Sequence, residues 1–100
     1  MIIGQKLRKL REDNGLLLRQ IAAELEVDTA YVSKMERGEK NIKREFIIKL
    51  ASIYNINSDE LITLWLANQI NEIIKFEEMG LDAVNYIKVF IENSNSHTLK

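Results

Sequence analysis

Residues 16–38, with the sequence LLLRQIAAELEVDTAYVSKMERG, constrain the fold more than any other part of the chain. Two short stretches of helical periodicity are separated there by a brief turn. Ala22 is small enough for a second helix to cross close over the first. Val27, Val32 and Met35 are apolar where that second helix must rest on the first. The segment therefore predicts two short helices packed across each other.

The second helix of this pair has a polar outer face. With the apolar positions turned inward, the residues left pointing outward are Thr29, Ala30, Ser33, Lys34 and Arg37. A helix that is supported from behind and polar in front has the shape that enters the major groove of duplex DNA, which is about 12 Å wide. The pattern therefore favours recognition of a nucleic acid.

Composition favours a single compact domain of the all-α class. The chain has 100 residues, of which 46% are hydrophobic, and it contains no proline. Runs of β-branched residues at period two are absent, so helix is the expected secondary structure. No apolar run approaches the roughly 20 residues that span a membrane, and the N-terminus lacks the apolar stretch of a signal peptide. We therefore expect a cytoplasmic protein without a membrane partner.

The sequence lacks the residues that build common catalytic or metal sites. There is no Cys to form a disulfide or a thiolate ligand, and the single histidine, His97, lies in a polar tail. No glycine-rich loop is present to hold phosphates, and the adjacent carboxylates Glu77 and Glu78 have no pocket of their own. We therefore predict a protein that is not an enzyme and that uses no metal or cofactor.

Charge is distributed unevenly along a chain whose formal net charge is −1. Eleven basic and eight acidic residues precede Ser58, a balance of +3, whereas three basic and seven acidic residues from Ser58 onward give −4. Chance can produce such an asymmetry, but it also fits a first part that faces nucleic acid and a second part with another role. If the first part faces nucleic acid, Arg37, Lys40, Lys43 and Arg44, which surround the start of the next helix, can contact phosphates or remain solvated, and Arg19 can contact a further phosphate.

Helical periodicity continues on both sides of the central segment. Asp28 is placed to cap the third helix, Asn57 the fifth and Asp82 the last. The polar residues 94–100 predict a disordered tail. The predicted helices are 3–13, 18–25, a third ending at 37–38, 44–54, a long fifth helix that breaks at Met79-Gly80, and a last helix to about 93.

Four stretches agree in order and spacing with one known pattern. They are IGQKLRKLRED, GLLLRQIAAELEV, DTAYVSKMERGEKNI and FIIKLASIYNINSDEL. Through them the chain resembles the phage repressor/Cro-like (XRE) helix-turn-helix family over about residues 3–61. The resemblance implies a five-helix repressor-like domain at 1–61 whose third helix is the recognition helix. It also implies binding to double-stranded DNA as a homodimer on (pseudo)palindromic sites, and regulation of transcription.

The resemblance further implies roles for individual residues. The positions that match base-edge contacts are Thr29, Ala30 and Lys34, and those nearer the sugar-phosphate backbone are Tyr31, Ser33 and Lys40. Arg11 and Glu36 match an ion pair that links the first helix to the end of the third.

Side-chain chemistry is compatible with these roles and leaves alternatives open. Lys34 can donate to O6 and N7 of guanine in the major groove, or can be a solvated lysine. Ala30 can lie against a thymine methyl, or can be a spacer. Tyr31 can donate its hydroxyl to a phosphate, or can pack flat on the second helix.

Two departures from the family pattern affect the second helix. Leu17 and Leu18 stand where the family often has Ser or Thr followed by Gln, so a side-chain cap worth about 1 kcal/mol is lost. Glu26 occupies the turn position that is usually Gly, where a left-handed backbone costs roughly 1–2 kcal/mol. Neither departure removes the fold, but at these positions the base contacts follow less directly from the family pattern.

The segment 62–93 forms a helical extension outside the shared domain. The extended fifth helix has more apolar surface than one stripe requires, and the last helix has no core of its own. Trp65 fits either the core or an interface. The residues predicted to form a homodimer interface are Leu66, Ile70, Ile73, Ile74, Ile87, Phe90 and Ile91. Alternatively, the last helix folds back within one chain and covers the fifth.

Three functions are compatible with these observations. The first is a sequence-specific, homodimeric transcription regulator, such as a restriction–modification controller or a phage-type repressor. The second is the DNA-binding antitoxin of a toxin–antitoxin pair, in which the surface after Ile62 holds a protein partner. The third is a helical adaptor that binds only protein, against which the basic residues of the third helix and its flanks count.

Overall fold

A computed structural model describes the backbone of residues 2–98 and the side chains of residues 2–95. Over this range the secondary structure is helical, without a strand, which confirms the all-α prediction. The six helices of the described range are α1 (Ile2–Asp13), α2 (Leu18–Leu25), α3 (Thr29–Glu36), α4 (Arg44–Ile53), α5 (Ser58–Ile74) and α6 (Gly80–Thr98).

The chain divides into two compact units, Met1–Gln69 and Ile70–Lys100. The division falls within α5, later than the boundary predicted after residue 61. The reason is that Trp65 still packs on the core of the first unit and donates from Nε1 to the carbonyl oxygen of Ile42 at 2.8 Å. Asn68 is buried three residues further on, and its Oδ1 accepts a 3.4 Å hydrogen bond from the amide of Ile3. Trp65 therefore packs, partly buried, against the core of the first unit.

The first unit has one apolar core to which α1 to α5 each contribute. The faces predicted to be apolar are the faces that are buried, since the spacing of three and four residues keeps them on one side of each helix. The core side chains are Ile3, Leu7, Ile21, Ala22, Leu25, Val32, Met35, Ile42, Ile47, Leu50, Ala51, Tyr54 and Leu61. This core fixes the two crossed helices, α2 and α3, against α1 and α4.

The second unit differs from the sequence prediction at the start of its helix. Gly80 begins α6 instead of ending α5, and it is buried: a Cβ at this position would lie 2.9 Å from the carbonyl oxygen of Ile74. Only glycine permits that approach. Helix α5 ends at Ile74, so the break between the two helices lies before the predicted Met79-Gly80. Asp82 consequently lies in the first turn of α6, where its charge favours the helix, and is not the N-cap residue.

The end of α6 also differs from the prediction. The polar composition predicted a disordered tail at 94–100, but the backbone remains helical through Thr98. Asn, Ser and His have only modestly lower helix propensity than the best helix formers, so a helix that has already formed can continue through them. The last two residues of the predicted tail, 99 and 100, lie outside the described range.

Many apolar side chains of the second unit are exposed in the single chain. Ile73 is 76% exposed, and roughly half or more of the surface of Ile70, Ile87, Phe90 and Ile91 is exposed as well. The alternative to a homodimer interface was that the last helix covers these residues within one chain. Their exposure shows that they are not completely covered. No helix in the described range is both long enough and apolar enough to cross a membrane.

Candidate nucleic-acid interface

The turn between α2 and α3 is made by Glu26, as predicted. Its backbone is left-handed, with φ 59° and ψ 43°. The amide of Glu26 donates to the carbonyl oxygen of Ala23 at 3.2 Å, and the amide of Val27 donates to that of Ala22 at 3.0 Å. These bonds satisfy carbonyl groups at the end of α2, as a glycine in the same position would allow. The left-handed turn that usually contains glycine is thus formed here by glutamate, whose Cβ makes this backbone conformation strained.

The two helices of the motif begin differently. The carboxylate of Asp28 accepts a 2.7 Å hydrogen bond from the amide of Tyr31, so α3 has the predicted side-chain cap. Leu17 cannot accept such a bond at the start of α2. Gln20 compensates in part, because its Oε1 accepts a 2.7 Å hydrogen bond from the amide of Leu17. Sequence reasoning missed this half of a capping box, although a Gln three residues after the cap position is its signature.

The faces of α3 are divided as the sequence predicted. Val32 and Met35 are buried in the core and form its inner side. Thr29, Ala30 and Lys34, the residues assigned to base edges, are exposed on its outer side, and Ser33 is half-buried beside them. The helix therefore presents one outer face to its surroundings, and its inner face is held by packing.

The C-terminal end of α3 is held by an ion pair. The guanidinium of Arg11 in α1 donates to both carboxylate oxygens of Glu36, from Nε at 2.8 Å and from Nη2 at 3.0 Å. Its remaining nitrogen, Nη1, donates to the carbonyl oxygen of Leu16 at 3.1 Å. The hydrogen bond to Glu36 raises the pKa of Arg11, against the opposing effect of burial. Arg11 thus joins α1, the α1–α2 loop and α3 in one fixed arrangement.

A close backbone approach holds the same end of α3. A Cβ atom at Gly4 would lie 2.5 Å from the carbonyl oxygen of Glu36 and 3.0 Å from that of Met35. Such distances exclude any side chain unless the helices separate, so α1 can contact α3 this closely only with glycine at this position. Sequence reasoning did not single out Gly4, because a glycine inside a helical pattern has no periodicity that reveals what it faces.

The loop after α3 places basic side chains beside two aromatic rings. Tyr31 is half-buried and meets Phe46 of α4 edge to face, with ring centroids 6.1 Å apart. The ammonium of Lys40 lies 5.8 Å from the centroid of the Tyr31 ring, and that of Lys43 lies 5.8 Å from the centroid of the Phe46 ring. Tyr31 therefore packs toward α4, whereas the structural alternative considered from the sequence was packing on α2. The rings limit the positions of the two lysines.

The other basic residues predicted to contact phosphates are spread over three elements. Arg19 on α2 is exposed, as is Arg44, the first residue of α4. Arg37 is exposed at the end of α3, but its guanidinium pairs with the carboxylate of Glu39. A phosphate at Arg37 would have to displace that carboxylate, so its role is less direct than the sequence indicated. In the described part of the chain, no group of His, Cys, Asp or Glu is arranged to hold a metal ion.

Comparison with known proteins agrees with this geometry. The model of the helix-turn-helix family matches residues 7–61. The transcriptional regulator DdrOP3 of Deinococcus deserti is 37% identical over 62 residues, which are 62% of this chain and 48% of that protein. This chain thus matches about half the length of that relative.

Two solved structures also share the fold. The restriction-modification controller protein C.AhdI of Aeromonas hydrophila has a TM-score of 0.54 at 39% identity, covering 59% of this chain and 86% of the controller. The clp gene regulator ClgR of Corynebacterium glutamicum has a TM-score of 0.58 at 22% identity, covering 90% of this chain and 85% of the regulator. The likeness to ClgR concerns the fold alone.

The matched segment contains the left-handed turn at Glu26, the capped α3 and the ion pair at its end. These are the parts that set a recognition helix against its scaffold. The chain belongs to the XRE-type helix-turn-helix family of DNA-binding transcription regulators.

Proposed function

We propose that this chain reads a specific duplex sequence with α3 and regulates transcription as a homodimer on a (pseudo)palindromic operator. The observation that carries the proposal is the exposed outer face of α3, whose position is fixed at both ends. Asp28 caps its start, and Arg11 and Gly4 hold its end at Glu36. A rigidly placed recognition helix enters the groove without first having to be ordered, which favours specific binding.

The proposed contacts divide into two classes. Lys34 donates to a guanine, and Thr29 and Ala30 place methyl groups where a thymine methyl would lie. These contacts carry the sequence preference. The residues proposed to contact the sugar-phosphate backbone are Arg19, Tyr31, Ser33, Arg37, Lys40, Lys43 and Arg44. They position the protein and make its affinity depend on salt.

The proposed homodimer uses residues of the second unit together with Leu66, which precedes that unit in α5. The exposed apolar residues of the proposed interface are Leu66, Ile70, Ile73, Ile87, Phe90 and Ile91, with Ile74 half-buried among them. Apolar surface of this extent marks an association site, and a two-fold axis would bury it on both copies at once. Two recognition helices about 34 Å apart, one turn of DNA, would then read two half-sites.

The kind of regulator within this family can also be proposed. The likeness to the controller C.AhdI supports a restriction–modification controller, and a phage-type repressor fits the same geometry. The exposed apolar residues of the second unit also favour a second candidate, an antitoxin that holds its toxin there. A third candidate, an adaptor that binds only protein, does not account for the exposed polar face of α3.

Selection from random duplexes followed by titration tests the proposal. We expect one enriched sequence with two-fold symmetry, bound far more tightly than a scrambled duplex. Its affinity should fall by orders of magnitude between about 50 and 200 mM salt, because several phosphates are neutralised. Lys34→Gln should lose the preference for the enriched sequence over the scrambled duplex. Lys88→Gln, the same charge change outside the proposed DNA contacts, is its matched control and should keep that preference. Equal, weak binding of both duplexes by the unmodified chain would contradict the proposal.

A further inference from the structure

Trp65 lies on α5, beyond the segment that the family model matches, which ends at residue 61. Its indole donates the hydrogen on Nε1 to the carbonyl oxygen of Ile42 at 2.8 Å. Ile42 lies in the loop between α3 and α4, 23 residues earlier in the chain. Core packing alone does not require this bond, because a phenylalanine would pack there without donating a hydrogen bond. The indole N–H therefore has a role that the core does not explain.

The hydrogen bond from Trp65 orients a loop that has few other backbone restraints. In the described part of the chain, the backbone of residues 40–42 makes no other hydrogen bond. The side chain of Ile42 is buried in the core, with 6% of its surface exposed. Burial of a side chain fixes the position of its residue but leaves the direction of the following peptide group free. The bond from Trp65 sets that direction.

The peptide group that this bond orients leads directly to Lys43. Because a peptide group is planar, a carbonyl oxygen with a fixed direction also fixes the amide nitrogen and the Cα of the next residue. Lys43 is that residue, and it is the N-cap of α4, with φ −69° and ψ 145°. Its exposed side chain makes no cap hydrogen bond, and its ammonium lies 5.8 Å from the centroid of the Phe46 ring. The bond from Trp65 therefore sets the point at which the Lys43 side chain leaves the backbone.

The indole is itself held in place by its neighbours on α5. Leu61, one turn before Trp65, is fully buried. Asn68, one turn after it, is also buried and accepts a hydrogen bond from the amide of Ile3. Spacings of four and three residues place these side chains on the same face of α5 as Trp65. Helix α5 is thus fixed to the core on both sides of Trp65, so the indole restrains the loop instead of following it.

We propose that Trp65 is a positioning residue for DNA binding: through the carbonyl group of Ile42 it places Lys43 for its contact with a phosphate. This rests on the phosphate contact that the proposed function gives to Lys43. A lysine whose backbone is placed in advance loses less freedom when it binds a phosphate, which favours binding. Trp65 itself contacts no DNA, and the sequence preference stays with α3. Loss of the indole N–H should therefore weaken binding to every duplex and leave the base preference unchanged.

A double-mutant cycle in DNA binding tests this role. Trp65→Phe keeps an aromatic ring and removes the N–H donor, whereas Lys43→Ala removes the phosphate contact. We expect Trp65→Phe to weaken binding several-fold and to lower the slope of affinity against salt by up to one contact. In a chain that already carries Lys43→Ala, the same substitution should weaken binding by less than about two-fold. In a chain with Arg19→Ala, which removes a phosphate contact of α2, the full loss should remain.

Leu64→Ala is the matched control for a loss of stability. Leu64 is partly buried against the same core, so its truncation weakens packing on α5 and leaves the indole N–H in place. At a temperature where circular dichroism shows every variant to be folded, Leu64→Ala should keep the affinity and the salt slope of the unmodified chain. If Trp65→Phe also keeps both, or if its loss is equal with and without Lys43, Trp65 serves the fold alone and the proposal is overturned.

A scrambled duplex separates this proposal from the proposed function. Phosphate contacts do not depend on sequence, so the cycle can be measured on a scrambled duplex as well as on the selected operator. Equal binding of the two duplexes by the unmodified chain would contradict specific recognition, whereas coupling between Trp65 and Lys43 would still support the positioning role. A Lys43→Ala variant that binds as tightly as the unmodified chain would remove the phosphate contact and overturn the positioning role with it.

The indole N–H can also be observed directly, because the chain has a single tryptophan. Its Nε1 resonance is therefore unique in the NMR spectrum of the isotope-labelled chain. We expect its hydrogen to exchange with solvent many-fold more slowly than that of an exposed indole. Lys43→Ala should leave the exchange slow, since the bond to Ile42 forms without DNA. Rapid exchange in the unmodified chain would show that this bond is absent and would overturn the proposal.

Discussion

Glu36 is the residue on which the position of α3 depends most. Only 7% of its side chain is exposed, and an unpaired carboxylate at such a site would cost several kcal/mol of desolvation. Arg11 supplies two hydrogen bonds in the planar, bidentate geometry that lysine cannot reproduce. The carbonyl oxygen of Glu36 meanwhile faces Gly4 at a distance that leaves no room for a Cβ. One residue thus combines an electrostatic and a steric restraint on α3.

We predict that the two members of this ion pair are strongly coupled. Arg11→Met should lower the free energy of unfolding by about 3–5 kcal/mol, because it leaves the Glu36 carboxylate buried and unpaired. The double variant Arg11→Met with Glu36→Leu should be more stable than the single variant, since no lone charge remains. Urea unfolding of the unmodified chain, of Arg11→Met, of Glu36→Leu and of the double variant gives the coupling energy. Small, additive losses would mean that the pair behaves as an exposed one, as in the control pair Arg8 and Glu12, which is exposed.

We predict that Tyr54 limits stability at alkaline pH. Burial, and then the charge of Glu36, raises the pKa of Tyr54 above its ordinary value of about 10. The unfolded chain therefore loses this proton first, so the stabilisation is complete below pH 10 and is lost as the pH rises from about 10 toward the raised pKa. Tyr54→Phe should flatten the fall of the free energy of unfolding above pH 10. Tyr86→Phe, a change at an exposed tyrosine, is the control and should leave the fall unchanged.

At the scale of the elements, hydrophobic periodicity predicts which residues form helices and which helix faces are buried. It does not predict close contacts between residues that are remote in sequence. The limits of α2 were predicted correctly, since its apolar positions all face one core. The contact of Gly4 with Glu36 could not be predicted, because a glycine carries no pattern and its neighbour is remote in sequence. The fifth helix was predicted to break at Met79-Gly80, whereas Gly80 begins the last helix, where its lack of a side chain allows the close approach to Ile74. The positions of the predicted contact residues on α3 followed from the motif, but the pairing of Arg37 with Glu39 did not.

The turn between α2 and α3 yields a prediction about stability. Glu26 is exposed and has φ 59°, a conformation that disfavours side chains with a Cβ. Glu26→Gly should therefore raise the free energy of unfolding by up to about 1 kcal/mol, the relief of strain being offset in part by the greater freedom of glycine in the unfolded chain. Glu24→Gly, inside α2, should lower it by roughly 0.5–1 kcal/mol. Thermal unfolding measures both, and a Glu26→Gly that loses as much stability as Glu24→Gly would show that the turn is not strained.

The outer face of α3 and the loop after it should affect DNA binding in different ways. Lys34→Ala should reduce the discrimination at one base pair by about 1–3 kcal/mol, because a base-edge contact is lost. Lys40→Ala should weaken all sequences alike and reduce the slope of affinity against salt by about one contact, because a phosphate contact is lost. A panel of single-base variants of the selected operator, titrated at two salt concentrations, separates these effects. If Lys34→Ala keeps the original preference profile, Lys34 does not contact a base.

At the scale of the whole molecule, charge and apolar surface are segregated. The excess of basic residues lies before Ser58, with the motif, and the acidic excess lies after it. The exposed apolar residues are concentrated in the second unit, which is small and has little core of its own. A unit of about 30 residues rarely supplies enough buried surface to be stable alone. Association would therefore contribute to its stability as well as to DNA binding.

We predict that Ile73→Glu disrupts the homodimer and that DNA binding weakens in a specific way. Ile73 is 76% exposed in the single chain, so the substitution costs little there, but in a dimer interface it would bury an unpaired charge. The variant should be monomeric at tens of micromolar by light scattering, and its affinity for the two-fold operator should fall by orders of magnitude. Its affinity for an isolated half-site should not change, because α3 is not altered and only the link between the two DNA-binding domains is lost. Asn71→Glu adds the same charge on another side of α5 and should remain dimeric. A dimeric Ile73→Glu with full operator affinity would show that the end of α5 is not part of the interface.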